Sequence, residues 1–265
     1  MRLNKYIAHN SKYSRREADE LIKNSKVKVN HQYITDFSYQ VKKGDKVFVK
    51  GRLIKPKPKH FVTMIAFNKP RGTLVTKKDE RGRKTIYDVL PAKFRHFIPV
   101  GRLDFTSEGL LLLTDNPHYA DILMKSDLPR VYNIKIDKIV DEKMIAAMQN
   151  GLSLEDARAG GHSKSEIDSM DFAPFLWFKI RSITKRFSKL QVALREGKNR
   201  EIRRFFAHFG ANVLDLKRVA YGEIELNNLP EGKTRYLSKK EYEWLHQFVK
   251  ERERKSADDK TKNKI

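Results

Sequence analysis

The stretch from Pro99 to Thr114 reads Pro-Val-Gly-Arg-Leu-Asp-Phe-Thr-Ser-Glu-Gly-Leu-Leu-Leu-Leu-Thr, and it constrains the fold more than any other. The unbroken run Leu110 to Leu113 has no polar face, which predicts a short strand buried on both sides. Before it lies a polar loop holding Arg102, Asp104, Thr106, Ser107 and Glu108. Gly101 and Gly109 bracket that loop, and glycine permits tight turns and close backbone approach. The loop is therefore held against a core strand, where Asp104 can be presented to a ligand. By residue type alone, the commoner outcome is that Asp104 caps a turn or pairs with Arg102.

Charge narrows the partners. The 265 residues carry 56 Lys+Arg against 33 Asp+Glu, a net charge of +23. An excess of that size favours a polyanion, and nucleic acid before small acidic ligands. A membrane surface would call for a basic amphipathic helix or a lipidation signal, and the sequence has neither. No apolar run is long enough to span a bilayer, and the N-terminus lacks the apolar core of a signal peptide. A soluble cytoplasmic protein with no membrane partner is expected. With no cysteine, disulfides, thiolate metal sites and cysteine nucleophiles are excluded. No phosphate-cradling Gly-rich motif and no His-x-x-x-His pair occurs either, so the sequence offers no recognised cofactor or metal motif.

Residues 1–50 read as a small basic module. Ser14 and Glu17 form a capping box ahead of a helix that buries Ala18, Leu21 and Ile22. Arg15 and Arg16 fall in its first turn, where free backbone N–H groups favour phosphate. Lys26 and Lys28 accompany the strand Val27–Val29, which precedes a turn at Asn30-His31. Residues 51–60, Gly-Arg-Leu-Ile-Lys-Pro-Lys-Pro-Lys-His, predict an extended, semi-rigid linker.

The main domain is expected over 61–249. It opens with a strand at Met64–Phe67 and a turn, Asn68-Lys69-Pro70-Arg71-Gly72, bearing two cations. Arg130 to Ile136 alternates as a strand, with Tyr132 on it. A helix capped by Asp141 should end at Gly151. Leu190, Val192 and Leu194 mark a further strand, followed by the turn Glu196-Gly197-Lys198-Asn199. The helix behind that turn has Ile202, Phe205, Phe206 and Phe209 on one face. Arg203 falls on the border of this face; Arg200 and Arg204 lie farther round, available to phosphate. From residue 250 to 265 charges alternate without apolar periodicity, predicting disorder or a helix that tightens on RNA.

Three of these blocks resemble the signatures of RNA pseudouridine synthases in the RsuA/RluB/RluE/RluF form, with a RluB-like leaning. They are Asn68-Lys69-Pro70-Arg71-Gly72, Gly101-Arg102-Leu103-Asp104 with Gly109 to Thr114, and Glu196-Gly-Lys-Asn-Arg-Glu-Ile-Arg-Arg204. Residues 1–50 resemble the α-L RNA-binding domain of the same enzymes. The resemblance implies an α+β fold: the small α-L domain, then a catalytic domain on a mixed, largely antiparallel sheet. It implies Asp104 as the catalytic carboxylate, Arg203 as its partner, Tyr132 stacking on the target uracil and Leu216 packing near the base. Arg15, Arg16, Lys26, Lys28, Lys69, Arg102, Arg200 and Arg204 would contact RNA. The chain departs from the family at Ser107, where threonine is usual, at Asp115-Asn116-Pro117, and at Arg130, where lysine is common.

The implied activity is isomerisation of a specific uridine in ribosomal RNA, with Leu154-Glu155-Asp156 tilting the reading towards the large subunit. A monomer is expected. The alternative is a non-catalytic RNA-binding or ribosome-assembly factor on the same fold, which would have no use for Asp104.

Overall fold

The computed structural model describes residues 1–11, 13–56, 62–161 and 165–262, and divides the chain into compact units at 1–61 and 62–265. In the first unit the helices Leu3–Asn10 and Arg15–Lys23 accompany a four-stranded antiparallel sheet. The capping box forms as the sequence requires: Ser14 Oγ accepts the Glu17 N–H, and Glu17 Oε2 accepts the Ser14 N–H at 2.6 Å. Ala18, Leu21 and Ile22 then pack with Leu3, Ile7, Val27, Val29, Val47 and Val49 into one core.

The linker expectation needs correction at its start. Arg52–Leu53 is a strand paired with Val47–Val49 through a two-residue turn, Lys50-Gly51. Both turn residues have positive φ, 49° and 76°, the handedness that matches the twist of a tight hairpin. Positions 57–60 of the Lys/Pro stretch lie outside the described residues.

The second unit is built on a nine-stranded sheet whose neighbours are antiparallel except at one place. The strand Glu108–Thr114 pairs antiparallel with Met64–Lys69 and parallel with Val213–Tyr221. Successive strand residues point to opposite faces, and the leucine run divides accordingly. Leu111 and Leu113 join Ile65, Phe67, Ile134 and Phe206 in one core; Leu110 and Leu112 join Met64, Ala66, Tyr221 and Leu245 in the other. A strand with a core on each side has no room for a polar residue, which is why four leucines follow one another.

On the first of these faces lie the helices Glu142–Asn150 and Glu201–His208. Asp141 accepts the Met144 N–H, and Gly151 with φ 84° ends the former helix. The strand Trp177–Ile183 forms one edge of the sheet and Thr234–Tyr236 the other. The last helix, Lys239–Lys262, buries Leu245 and Val249 and continues past residue 250, into the segment for which disorder or an optional helix is expected. Two contacts hold its next turn: Arg252 pairs with Asp127, and Glu253 with His118 at 2.6 Å. Residues 263–265 lie outside the described residues. Among the described residues, no helix is long and apolar enough to cross a membrane.

Candidate active site

Backbone hydrogen bonds set the loop ahead of the leucine strand. The Ser107 N–H donates to the Asp104 carbonyl at 3.0 Å, and the Gly72 N–H donates to the Phe105 carbonyl at 2.7 Å. Beneath it the Lys69 ammonium donates to the carbonyls of Pro70 (3.0 Å), Asp104 (3.2 Å) and Ser107 (2.7 Å). Lys69 has no exposed surface, so its expected contact with RNA is not available; its charge is used up inside the protein by three carbonyls. Burial pushes its pKa down to about 8, against the opposing pull of Asp104, Glu108 and Glu231.

Gly109 ends the loop at φ +99°, and a Cβ there would lie 2.3 Å from the Arg218 carbonyl oxygen. Only glycine allows the parallel neighbour, the strand Val213–Tyr221, to approach this closely.

The carboxylate that this loop presents faces two guanidinium groups. Asp104 Oδ2 lies 3.8 Å from Arg203 Nε and 3.8 Å from Arg200 Nη1. Arg203 comes from the first turn of the helix Glu201–His208 and is tied down at its tip. Nη1 donates to the Val213 carbonyl at 2.9 Å, and Nη2 to the Thr106 carbonyl and Ser107 Oγ, both at 3.3 Å. The hydroxyl of Ser107 thus carries a contact for which the usual threonine would also serve. Burial is the main influence lowering the Arg203 pKa, followed by repulsion from Arg200; Asp104 works against it and Arg71 adds to it. Guanidinium stays charged through such shifts. At 3.8 Å neither arginine saturates the carboxylate, and the Asp104 side chain remains 31% exposed. A fixed carboxylate with two cations near one oxygen and part of its surface open is suited to attack on an electrophilic carbon or to proton abstraction.

Arg200 occupies this place because the backbone turns through the left-handed region there, with φ 51° and ψ 28°. Its Nε also donates to the Gly160 carbonyl at 2.7 Å. The sequence reading assigned Arg200 to phosphate; the structure brings it to Asp104. Tyr132 and Leu216 lie on neighbouring paired strands and are buried in the same core as Leu103 and Ile202.

Arg204 also departs from its expected contact with phosphate. It is fully buried, with guanidinium bonds to the carbonyls of Ala157 and Ile167, to Ser165 Oγ at 2.7 Å and to Asn199 Oδ1 at 3.3 Å. Residues 157–161 and 165–167 lie against this helix, which helical periodicity alone could not reveal. The signal was the adjacent pair Gly160-Gly161. A Cβ at Gly160 would be 2.4 Å from the Arg203 carbonyl oxygen, and one at Gly161 would be 2.9 Å from the Arg204 guanidinium. Arg102 is exposed beside Asp104; in the first unit Arg15, Arg16 and Lys26 are exposed, and Lys28 lies over the ring of Tyr33 at 4.4 Å. Among the described residues, no cluster of His, Cys, Asp and Glu could hold a metal ion.

Comparison with known proteins gives this geometry a context. The family model described as RNA pseudouridylate synthase matches residues 63–208, and the S4 domain model matches residues 1–47. A Helicobacter pylori protein described as "Uncharacterized RNA pseudouridine synthase" is 48% identical over 94% of this chain and 95% of its own. The "Ribosomal large subunit pseudouridine synthase B" of Bacillus subtilis is 33% identical over 92% of this chain and 95% of its own. "Dual-specificity RNA pseudouridine synthase RluF" of Escherichia coli is also 33% identical, over 90% of this chain and 76% of its own. A solved pseudouridylate synthase superposes with a TM-score of 0.61 at 26% identity, covering 92% of this chain and 99% of its own.

Proposed function

Because this chain belongs to the RNA pseudouridylate synthase family, we propose that it isomerises a particular uridine of large-subunit ribosomal RNA to pseudouridine, with Asp104 as the catalytic carboxylate. The enzyme is an isomerase acting on RNA. In the reaction the bond from C1′ of the ribose to N1 of uracil breaks, the base turns, and C1′ joins C5. The proton on C5 is lost and N1 gains one, so atoms and charge balance without an oxidant or reductant. The reading therefore asks for no cofactor.

The observation that carries it is the Asp104 carboxylate, open on one side and 3.8 Å from both Arg200 and Arg203. The carboxylate acts either by attack at the sugar carbon or by proton abstraction; both routes need a fixed anion at this point. The target nucleotide has to leave its stack to reach it. Tyr132 and Leu216 would supply the apolar surface for the displaced uracil, and Arg102, exposed next to Asp104, would meet the RNA backbone. The large-subunit assignment draws support from the name of the Bacillus relative and from its near-complete coverage.

Mapping pseudouridines in ribosomal RNA from cells with and without this protein tests the reading. One large-subunit position should lose its pseudouridine when the protein is removed. Unchanged maps for both subunits would contradict it.

A further inference from the structure

The helix Glu201–His208 starts without a side-chain cap, and the residue in the cap position, Arg200, is in the left-handed region with φ 51°. Residues other than glycine rarely adopt that conformation, so neighbouring structure has to hold it. Arg204 holds one side of the turn, its Nε donating to the Asn199 carbonyl at 3.1 Å. Glu201 holds the other. Its Oε2 accepts the Lys198 N–H at 3.1 Å, while its own N–H donates to the Lys198 carbonyl at 3.3 Å. This two-way tie spans the residues on either side of Arg200, and the carboxyl that makes it is buried, at 6% exposure.

We propose that Glu201 is a positioning residue for the active site: its buried carboxylate closes the turn 198–201, keeps Arg200 left-handed and so sets the Arg200 guanidinium beside Asp104. The proposal rests on the reading of Asp104 as the catalytic carboxylate. A hydrogen bond to a charged acceptor is roughly twice as strong as one to a neutral acceptor, so the tie depends on the ionisation of Glu201. The charges that face it are Glu196 and Lys198 from its own turn and Arg130 from the strand Arg130–Ile136. Burial outweighs them and raises its pKa to about 7, assisted by Glu196 and opposed by the Lys198 N–H, Lys198 and Arg130. Protonation near neutrality loosens the turn and releases Arg200 from Asp104.

The test is the single-turnover rate of the full-length enzyme on a ribosomal RNA fragment at saturating enzyme, from pH 5.5 to 8.5. Wild type should lose rate towards acid through an inflection near pH 7. Glu201→Gln mimics the protonated form: it should run three- to tenfold slower than wild type at pH 8, with no inflection, and its melting temperature at pH 8 should not fall. Glu201→Ala should be slower again, with Gln partly restoring what Ala loses. An inflection near pH 7 that persists in Glu201→Gln, or wild-type rate at pH 8 in that variant, would overturn the proposal. A slow Glu201→Gln that also melts below wild type at pH 8 would assign Glu201 to the fold alone. Asp104→Asn measured alongside separates the two readings. Activity there defeats the catalytic assignment and the proposal with it, whereas an inactive Asp104→Asn beside an unaltered Glu201→Gln defeats only the proposal.

Discussion

Arg203 shows how a single side chain is placed by the fold rather than by its helix. Periodicity put it on the border of an apolar face, where its replacement would leave folding intact; in the structure it is 9% exposed and serves three acceptors. Arg203→Lys should keep a charge near Asp104 without the planar fork and should slow single turnover by about tenfold or more. Arg203→Ala should be slower still. It should also cost on the order of 3 kcal/mol in urea denaturation, because the acceptors it leaves are partly buried. Equal stability of Ala and wild type would refute the buried role. Glu201 gives a prediction with a definite pH sign. Its folded pKa of about 7 lies above the ordinary glutamate value of 4.5, so the native state holds a proton that the unfolded chain releases between those values. Stability from that group is complete below the unfolded pKa and is lost as pH rises through about 7. Glu201→Gln should therefore match wild type near pH 4.5 and exceed it above pH 7 by on the order of 3 kcal/mol. A stability difference independent of pH would contradict it. The meeting of Asp104 and Arg203 was legible because the motifs that carry them are local. The burial of Lys69 and Arg204 was not, since each depends on a distant segment meeting the side chain.

At the scale of elements, the leucine run was the most legible feature, because only a strand with a core on each side tolerates four leucines in succession. The parallel pairing of its first residues with Val213–Tyr221 was hidden, and Gly109 is where that pairing exerts its demand. Gly109→Ala would drive a Cβ to 2.3 Å from the Arg218 carbonyl oxygen at a φ of +99°. The variant should lose at least about 3 kcal/mol in chemical denaturation. Gly101→Ala is the control: φ is +75° but no atom lies within 4 Å of the added Cβ. It should lose only about 1–2 kcal/mol, the backbone cost alone. Similar losses at both positions would show that the close approach at Gly109 does not matter. The edge strand Trp177–Ile183 escaped the sequence reading for another reason: most of its residues are exposed or only half-buried.

For the molecule as a whole, the division of labour follows charge: residues 1–60 hold 16 Lys+Arg against 5 Asp+Glu. The unit 62–265 has two cores of its own, so removal of residues 1–61 should leave a folded, slower enzyme. Its binding to a ribosomal RNA fragment should weaken, and the log–log salt slope should fall by roughly two to three if about three phosphate contacts are lost. An unchanged slope in titrations at several salt concentrations would mean that the basic module is only solvated surface. The central claim, however, concerns the carboxylate between Arg200 and Arg203. It is tested most directly by incubating purified wild type and Asp104→Asn with unmodified large-subunit ribosomal RNA and counting pseudouridine formed at each position. Asparagine keeps the shape and loses the anion, so the account predicts modification at one position by wild type and none by the variant, with RNA affinity within a few-fold. Pseudouridine formed by Asp104→Asn above the level of an enzyme-free control would contradict it.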